Sequence, residues 1–168
     1  WLGKEHPRAT LLAAIDDAAG TVLAAIFREQ EDAQGYLLLI EQLVRRYGRP
    51  LELYHDRHSI FELNPPRPWT IDEELQGWQD PTEVTRALED LGILSIAAHS
   101  PQAKGRIERL WGTWQDRLVA ELRLAGITAI DAANAFLPPF IAAHNTRFAV
   151  PADDPGSAFR PLPHDLDL

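Results

Sequence analysis

The 168-residue sequence contains neither cysteine nor methionine. Without cysteine there is no disulfide and no thiolate metal site, and the chain fits the reducing cytoplasm, its expected location. A chain that lacks Met and opens on Trp1 reads as a piece of a longer protein. No apolar run approaches the eighteen or so residues of a membrane-spanning helix. The first residues also lack a signal-peptide pattern, so no membrane partner is expected. Positive charge is scarce: 16 Lys and Arg stand against 25 Asp and Glu, a net charge of −9. Taken over the whole chain, that opposes nucleic acid as a partner, because phosphate binding needs local positive charge. The distribution softens the objection. Between His99 and Arg123 lie five basic residues (104, 106, 109, 117 and 123) and three acids (108, 116 and 121).

What is present suits one folded domain. The length is that of a single domain, and 45% hydrophobic residues are enough for a real core. Thr10 to Ile15 and Thr21 to Phe27 are short apolar runs, and Asp16, Asp17 and Gly20 supply turn chemistry between them, which predicts a hairpin. Leu37, Ile40, Val44 and Tyr47 recur at helical spacing until Gly48 and Pro50 stop them. Leu51 to His55 reads as a strand with Asp56 at its C-terminal end. Residues 64–81, with four prolines, read as a loop or insert. A helix then runs from Pro81 to Gly92 with Asp80 as N-cap, followed by a strand over Ile93 to Ala98.

The longest helix follows. Ile107, Leu110, Trp111, Trp114, Leu118 and Leu122 form its apolar stripe, and Gly126 ends it. A last helix, or a broken pair, covers "DAANAFLPPFIAAHNTRF", since Pro138 and Pro139 are expected to kink or split it. "HNTRF" at its end reads as a helix C-terminus. The five tryptophans read as core or insert packing. The expected organisation is a mixed α/β domain over residues 1–149 and a Pro- and Asp-rich tail or linker over 150–168. A strand that pairs with Thr10 to Ile15 is expected upstream of Trp1.

Two carboxylates stand out by position. Asp56 ends a predicted central strand, where α/β sheets place functional groups. Glu108 lies in the first turns of a helix that follows another strand, and 51 residues lie between the two. Paired carboxylates suit Mg²⁺ or Mn²⁺, and two such ions about 3.5–4 Å apart serve phosphoryl transfer. Lys104, Arg106 and Arg109 flank Glu108 and would hold backbone phosphates. The plainer reading is an Asp that forms a turn and a Glu favoured by the helix dipole. His55 and His58 flank Asp56 three residues apart, which raises a zinc hydrolase as a further reading, but no third neutral ligand is evident.

"YHDRHSIF" and "SPQAKGRIERLWGTWQDRLVAELRLAGI", with "IDDAAGTVLAAIF" upstream and "HNTRFAVP" downstream, closely resemble the catalytic core of DDE transposases of the ISNCY type, within the retroviral-integrase superfamily. The resemblance covers residues 1–148. It implies an RNase H-like fold and a triad of two Asp and one Glu that binds two divalent ions. It also implies cleavage and strand transfer of DNA at transposon ends, carried out by a homo-oligomer. By motif match the second Asp is Asp56 and the Glu is Glu108. The first Asp is expected on the upstream strand, because Asp16 and Asp17 match the end of the second strand instead. The chain alone is therefore expected to be inactive. The competing expectation is an inert transposase remnant that serves only in folding or self-association.

Overall fold

The computed structural model describes residues 1–3, 8–56, 58–62, 68–98, 101–154 and 156–162, with only the backbone considered at 101–104 and 106. Strand β1 (Thr10–Ile15) and strand β2 (Val22–Arg28) form the predicted antiparallel hairpin. Its turn is closed by Asp16, whose carbonyl accepts from Gly20 N–H and whose Oδ1 accepts from Ala18 N–H. Apolar side chains alternate between the two faces, as a strand period of two requires. Leu11, Ala25 and Phe27 join one cluster, while Leu12, Ala24 and Ile26 join the other. The register shifts beside Ala14 and Ile15, and Ile15 pairs with Val22. This bulge returns Val22 to the face of Phe27 although their positions differ by five, an odd offset.

Helix α1 (Ala33–Tyr47) covers one face of the hairpin. Asp32 caps it, accepting from Gly35 N–H at 2.7 Å and from the Arg28 guanidinium at 3.1 Å. Those two donors hold the Asp32 carboxyl below its usual range. Gly35 lets the helix approach closely, since a Cβ there would stand 2.8 Å from a methyl of Leu12. Beyond α1 come β3 (Arg49–Pro50) and β4 (Glu52–His55), then α2 (Ile71–Gln76), α3 (Glu83–Asp90) and β5 (Leu94–Ala97). β4 and β5 pair in parallel, the geometry expected of strands joined through a crossover. Ile40, Val44, Val84, Leu88, Ile93 and Phe61 form the core beneath them.

Helices α4 (Pro101–Leu124) and α5 (Ile130–Phe148) cover the other face of the hairpin. Trp114, Leu118 and Leu122 of α4 are fully buried there with Leu137 of α5, so the predicted stripe is the buried one.

Four expectations need correction. Residues 64–81 are not simply a loop: 71–76 form α2, nucleated by a reciprocal capping box between Thr70 and Glu73. Residues 64–67 lie outside the described residues. The N-cap of α3 is Thr82, not Asp80, because the Thr82 hydroxyl accepts from Thr85 N–H while the Asp80 amide is engaged by Glu73. Pro138 and Pro139 do not divide the last helix. Both are solvent-facing, and Ala133, Leu137, Phe140, Ile141 and His144 keep an unbroken buried stripe through them. Finally, the segment after Ala149 returns to the domain: β6 (Phe159–Arg160) pairs with β3, and Phe159 packs on Tyr47.

Among the described residues, the far edge of β2 has no strand beside it. Two asparagines of α5 take that place. Asn134 accepts from Phe27 N–H at 2.7 Å and donates to its carbonyl at 3.1 Å. Asn145 does the same to Val22, at 2.8 Å for both bonds. Eleven residues of helix rise roughly 16 Å, and five residues of strand span roughly the same distance. The two side chains therefore match the edge they cover, and the bulge turns both strand residues outward to meet them. An edge covered this way cannot recruit another strand.

Candidate functional site

Asp56 stands directly after β4, at the carboxyl end of a parallel strand, with its side chain exposed. Its backbone is fixed by its neighbour. His55 Nδ1 lies 2.7 Å from the Asp56 carbonyl, and Nε2 lies 2.8 Å from Ser95 Oγ on β5. The His55 ring also stacks on Phe61, with centroids 4.1 Å apart. Because a carbonyl can only accept, Nδ1 carries the proton and Nε2 accepts from the serine. Both ring nitrogens are thus engaged. His58 Nδ1 sits 3.4 Å from Ile60 N within its own turn. These engagements count against the zinc reading of His55, Asp56 and His58. Among the described residues no group of three or more His, Cys, Asp or Glu is arranged to hold a metal ion.

Tyr36 on α1 belongs to the same end of the molecule. Its hydroxyl donates to Glu31 Oε1 at 2.6 Å, and its ring meets Phe61 edge-on at 4.8 Å. Burial, then the Glu31 carboxylate and then Asp56, push its hydroxyl pKa far up, so it stays a neutral donor. The sequence periodicity does not single out this tyrosine, which stands just before the stripe of Leu37, Ile40, Val44 and Tyr47.

Glu108 is exposed, two turns into α4, where the helix assignment put it. Neither its carboxylate nor that of Asp56 has a hydrogen-bond or ion-pair partner among the described residues. Arg109 is exposed beside Glu108, and its carbonyl accepts from the Thr113 hydroxyl. The side chains of Lys104 and Arg106 lie outside the described residues. Asp16 and Asp17 sit in the hairpin turn, as expected. The neighbouring Glu52 carboxylate raises the Tyr54 hydroxyl pKa, with a minor contribution from Asp17.

"HNTRF" is indeed a helix end, but with more structure than expected: Asn145 clamps β2, and buried His144 accepts from Trp114 Nε1–H at 3.2 Å. Burial, with a smaller contribution from Arg117, lowers the pKa of His144.

The domain is thus mixed α/β, with one exposed carboxylate at the end of a parallel strand and another on a following helix. No family model matches the chain. Over 162 residues, 96% of the chain, it is 37% identical to "Putative transposase y4bF" of Sinorhizobium fredii. Over 148 residues, 88% of the chain, it is 35% identical to the transposase for insertion sequence IS1202 of Streptococcus pneumoniae. The chain spans 34% and 30% of those two sequences, about a third of each. A solved chain in the cryo-EM structure of the simian T-cell lymphotropic virus intasome with PP2A regulatory subunit B56 gamma superposes with a TM-score of 0.56. That match covers 94% of this chain and 52% of the other at 15% identity, a likeness of fold alone. Over the stretch it covers, the chain is therefore similar in sequence to transposases, and its fold is like that of the intasome chain. Among the described residues no helix is long and apolar enough to cross a membrane.

Proposed function

We propose that this domain is the catalytic core of a DDE-type polynucleotidyl transferase that cuts transposon ends and joins them to target DNA. Its relation to transposases over 96% of its length carries the reading. Asp56 and Glu108 are assigned as two of the three metal-binding carboxylates, and Lys104, Arg106 and Arg109 as contacts to the DNA backbone. The donor chemistry supports Mg²⁺ or Mn²⁺ there: both carboxylates are exposed hard-oxygen ligands, while the nearby imidazole nitrogens of His55 are already engaged. Such ions would polarise the attacking and leaving oxygens of the displacement. The chain's own residues hold Asp56 at the strand end through His55 and Ser95 and present Glu108 from α4.

The sheet supports a place for the third carboxylate. The described strands form three separate pairs: β1 with β2, β3 with β6, and β4 with β5. β1 and β4 each keep an edge with no strand partner among the described residues. A strand carrying the first Asp, inserted between β1 and β4, would join the two pairs into one RNase H-like sheet. The test is strand transfer with a pre-cleaved transposon end in Mn²⁺. This chain is compared with a version extended upstream through that strand. Joining by the extended form alone, abolished by Asp56→Asn or Glu108→Gln, is the expected result. Losing one metal ligand should slow joining on the order of a thousandfold or more. Joining by the short chain that Asp16→Asn abolishes would misplace the first Asp. Joining by neither form would favour the inert remnant.

A further inference from the structure

Helix α2 is built inside out. Glu73 is its buried residue, 2% exposed, and it accepts from donors of its own segment. Oε2 accepts from Thr70 N–H and Oγ1, and Oε1 accepts from Asp80 N–H at 2.9 Å. Polar bonds therefore hold the 70–80 segment in shape, and its large apolar side chains are left outside. Ile71 and Leu75, one turn apart on a single helix face, are 77% and 81% exposed. Trp69 and Trp78 flank them at 45% and 54%. Isolated exposed apolar residues are ordinary, but four within ten positions make the kind of patch that marks a binding surface. The rim is acidic: Asp72, Glu74 and Asp80 are exposed, and residues 68–85 contain no Lys or Arg. Such a rim repels phosphate, so DNA and anionic lipid do not fit the patch.

The complement lies on the same chain. The exposed Phe148 ring, at the end of α5, has the guanidinium carbons of both Arg117 and Arg147 at 5.4 Å, with exposed Val150 just beyond. Glu121 reaches Arg117 only loosely, at 3.9 Å. One surface is apolar with a negative rim, and the other is apolar with a cationic rim. We propose that α2 and its flanking tryptophans, Trp69 to Trp78, dock on the Arg117–Arg147–Phe148 surface of a second copy of this chain. The contact joins two different patches, so it is heterologous, and each subunit has one of each to offer. Opposite rims fix the register and penalise like-with-like pairing. This inference does not depend on the assignment of Asp56 and Glu108.

The test is sedimentation velocity on the chain across a concentration series, with circular dichroism to verify folding. Wild type should self-associate in a concentration-dependent way. Leu75→Asp and Arg147→Glu, both at exposed positions, should each weaken association by roughly thirtyfold or more, as loss of a central interface anchor does. An equimolar mixture of the two variants should form a dimer and nothing larger, because it retains one intact pair of surfaces. A wild-type chain that stays monomeric at several hundred micromolar overturns the proposal. So does association that persists in either folded variant, or a mixture that stays monomeric. If Leu75→Asp fails to fold, Ile71→Asp takes its place in the same scheme.

Discussion

Removing the Asn145 side chain is the sharpest test of how α5 and the hairpin hold together. Val22 is fully buried, and its N–H and C=O both bond to the Asn145 amide at 2.8 Å. Asn145→Ala leaves one donor and one acceptor of β2 without partners in an apolar setting. Each costs about 1–3 kcal/mol. Because α5 ends three residues later and water can reach part of the gap, the expected loss is about 2–4 kcal/mol. For a chain of this size that lowers Tm by about 5–15 °C. Urea unfolding followed by tryptophan fluorescence measures it, since Trp114 is buried in the same cluster as Val22. Asn145→Asp is the informative partner. Its carboxylate still accepts from Val22 N–H but faces the Val22 carbonyl with no proton to donate. It should be as damaging as alanine at neutral pH and recover as acid protonates it. A loss below about 0.5 kcal/mol for Asn145→Ala, the level of an ordinary surface change, would refute the clamp.

Other outcomes follow from single contacts. Gly48 has φ +84°, and a Cβ there would run into the carbonyl of Arg160, so Gly48→Ala should cost about 1–3 kcal/mol and speed hydrogen exchange at Leu51, whose amide bonds Ala158. His144 has a lowered pKa, so the unfolded chain binds its proton first. The stability present above about pH 6.5 should fall as pH drops below that value, by at most about 1.4 kcal/mol per pH unit. His144→Phe should flatten that part of the urea-derived pH profile. Glu73→Gln keeps the shape but sets an amide N–H₂ against one of three N–H and O–H donors, which should accelerate exchange at the Thr70 and Asp80 amides without moving the global transition by more than about 1–3 kcal/mol.

What the sequence made legible was periodicity, and what it hid was side chains acting on distant backbone. The hairpin, α1 and α4 were readable because a stripe at period two or 3.6 is a statement about burial, and burial is what selects those conformations. Leu110, Trp114, Leu118 and Leu122 are buried as their spacing required. Pro138 and Pro139 were misjudged for the converse reason. Local chemistry says a helix should break there, but Leu137 and Phe140 on either side are anchored in the core, and Asn134 and Asn145 pin the helix to β2 before and after the pair. Two long-range clamps, with sequence separations of 107 and 123 residues, outweigh two lost helical bonds. No window of neighbouring residues contains that information.

The candidate site divides along the same line. Asp56 and Glu108 could be picked out because each follows a strand or opens a helix, positions that local pattern reveals. The pinning of Asp56 by His55 and Ser95 could not, because its members come from two strands 40 residues apart. The 69–78 segment is the most instructive failure. Set between the prolines at 65, 66, 68 and 81 and showing no regular apolar period, it reads as part of a loop. Here the carboxylate of Glu73 points inward and fixes the turn, which frees Ile71 and Leu75 to face out. An inverted pattern of this kind spends buried polar bonds to keep apolar area exposed. That arrangement makes physical sense when something else covers the area.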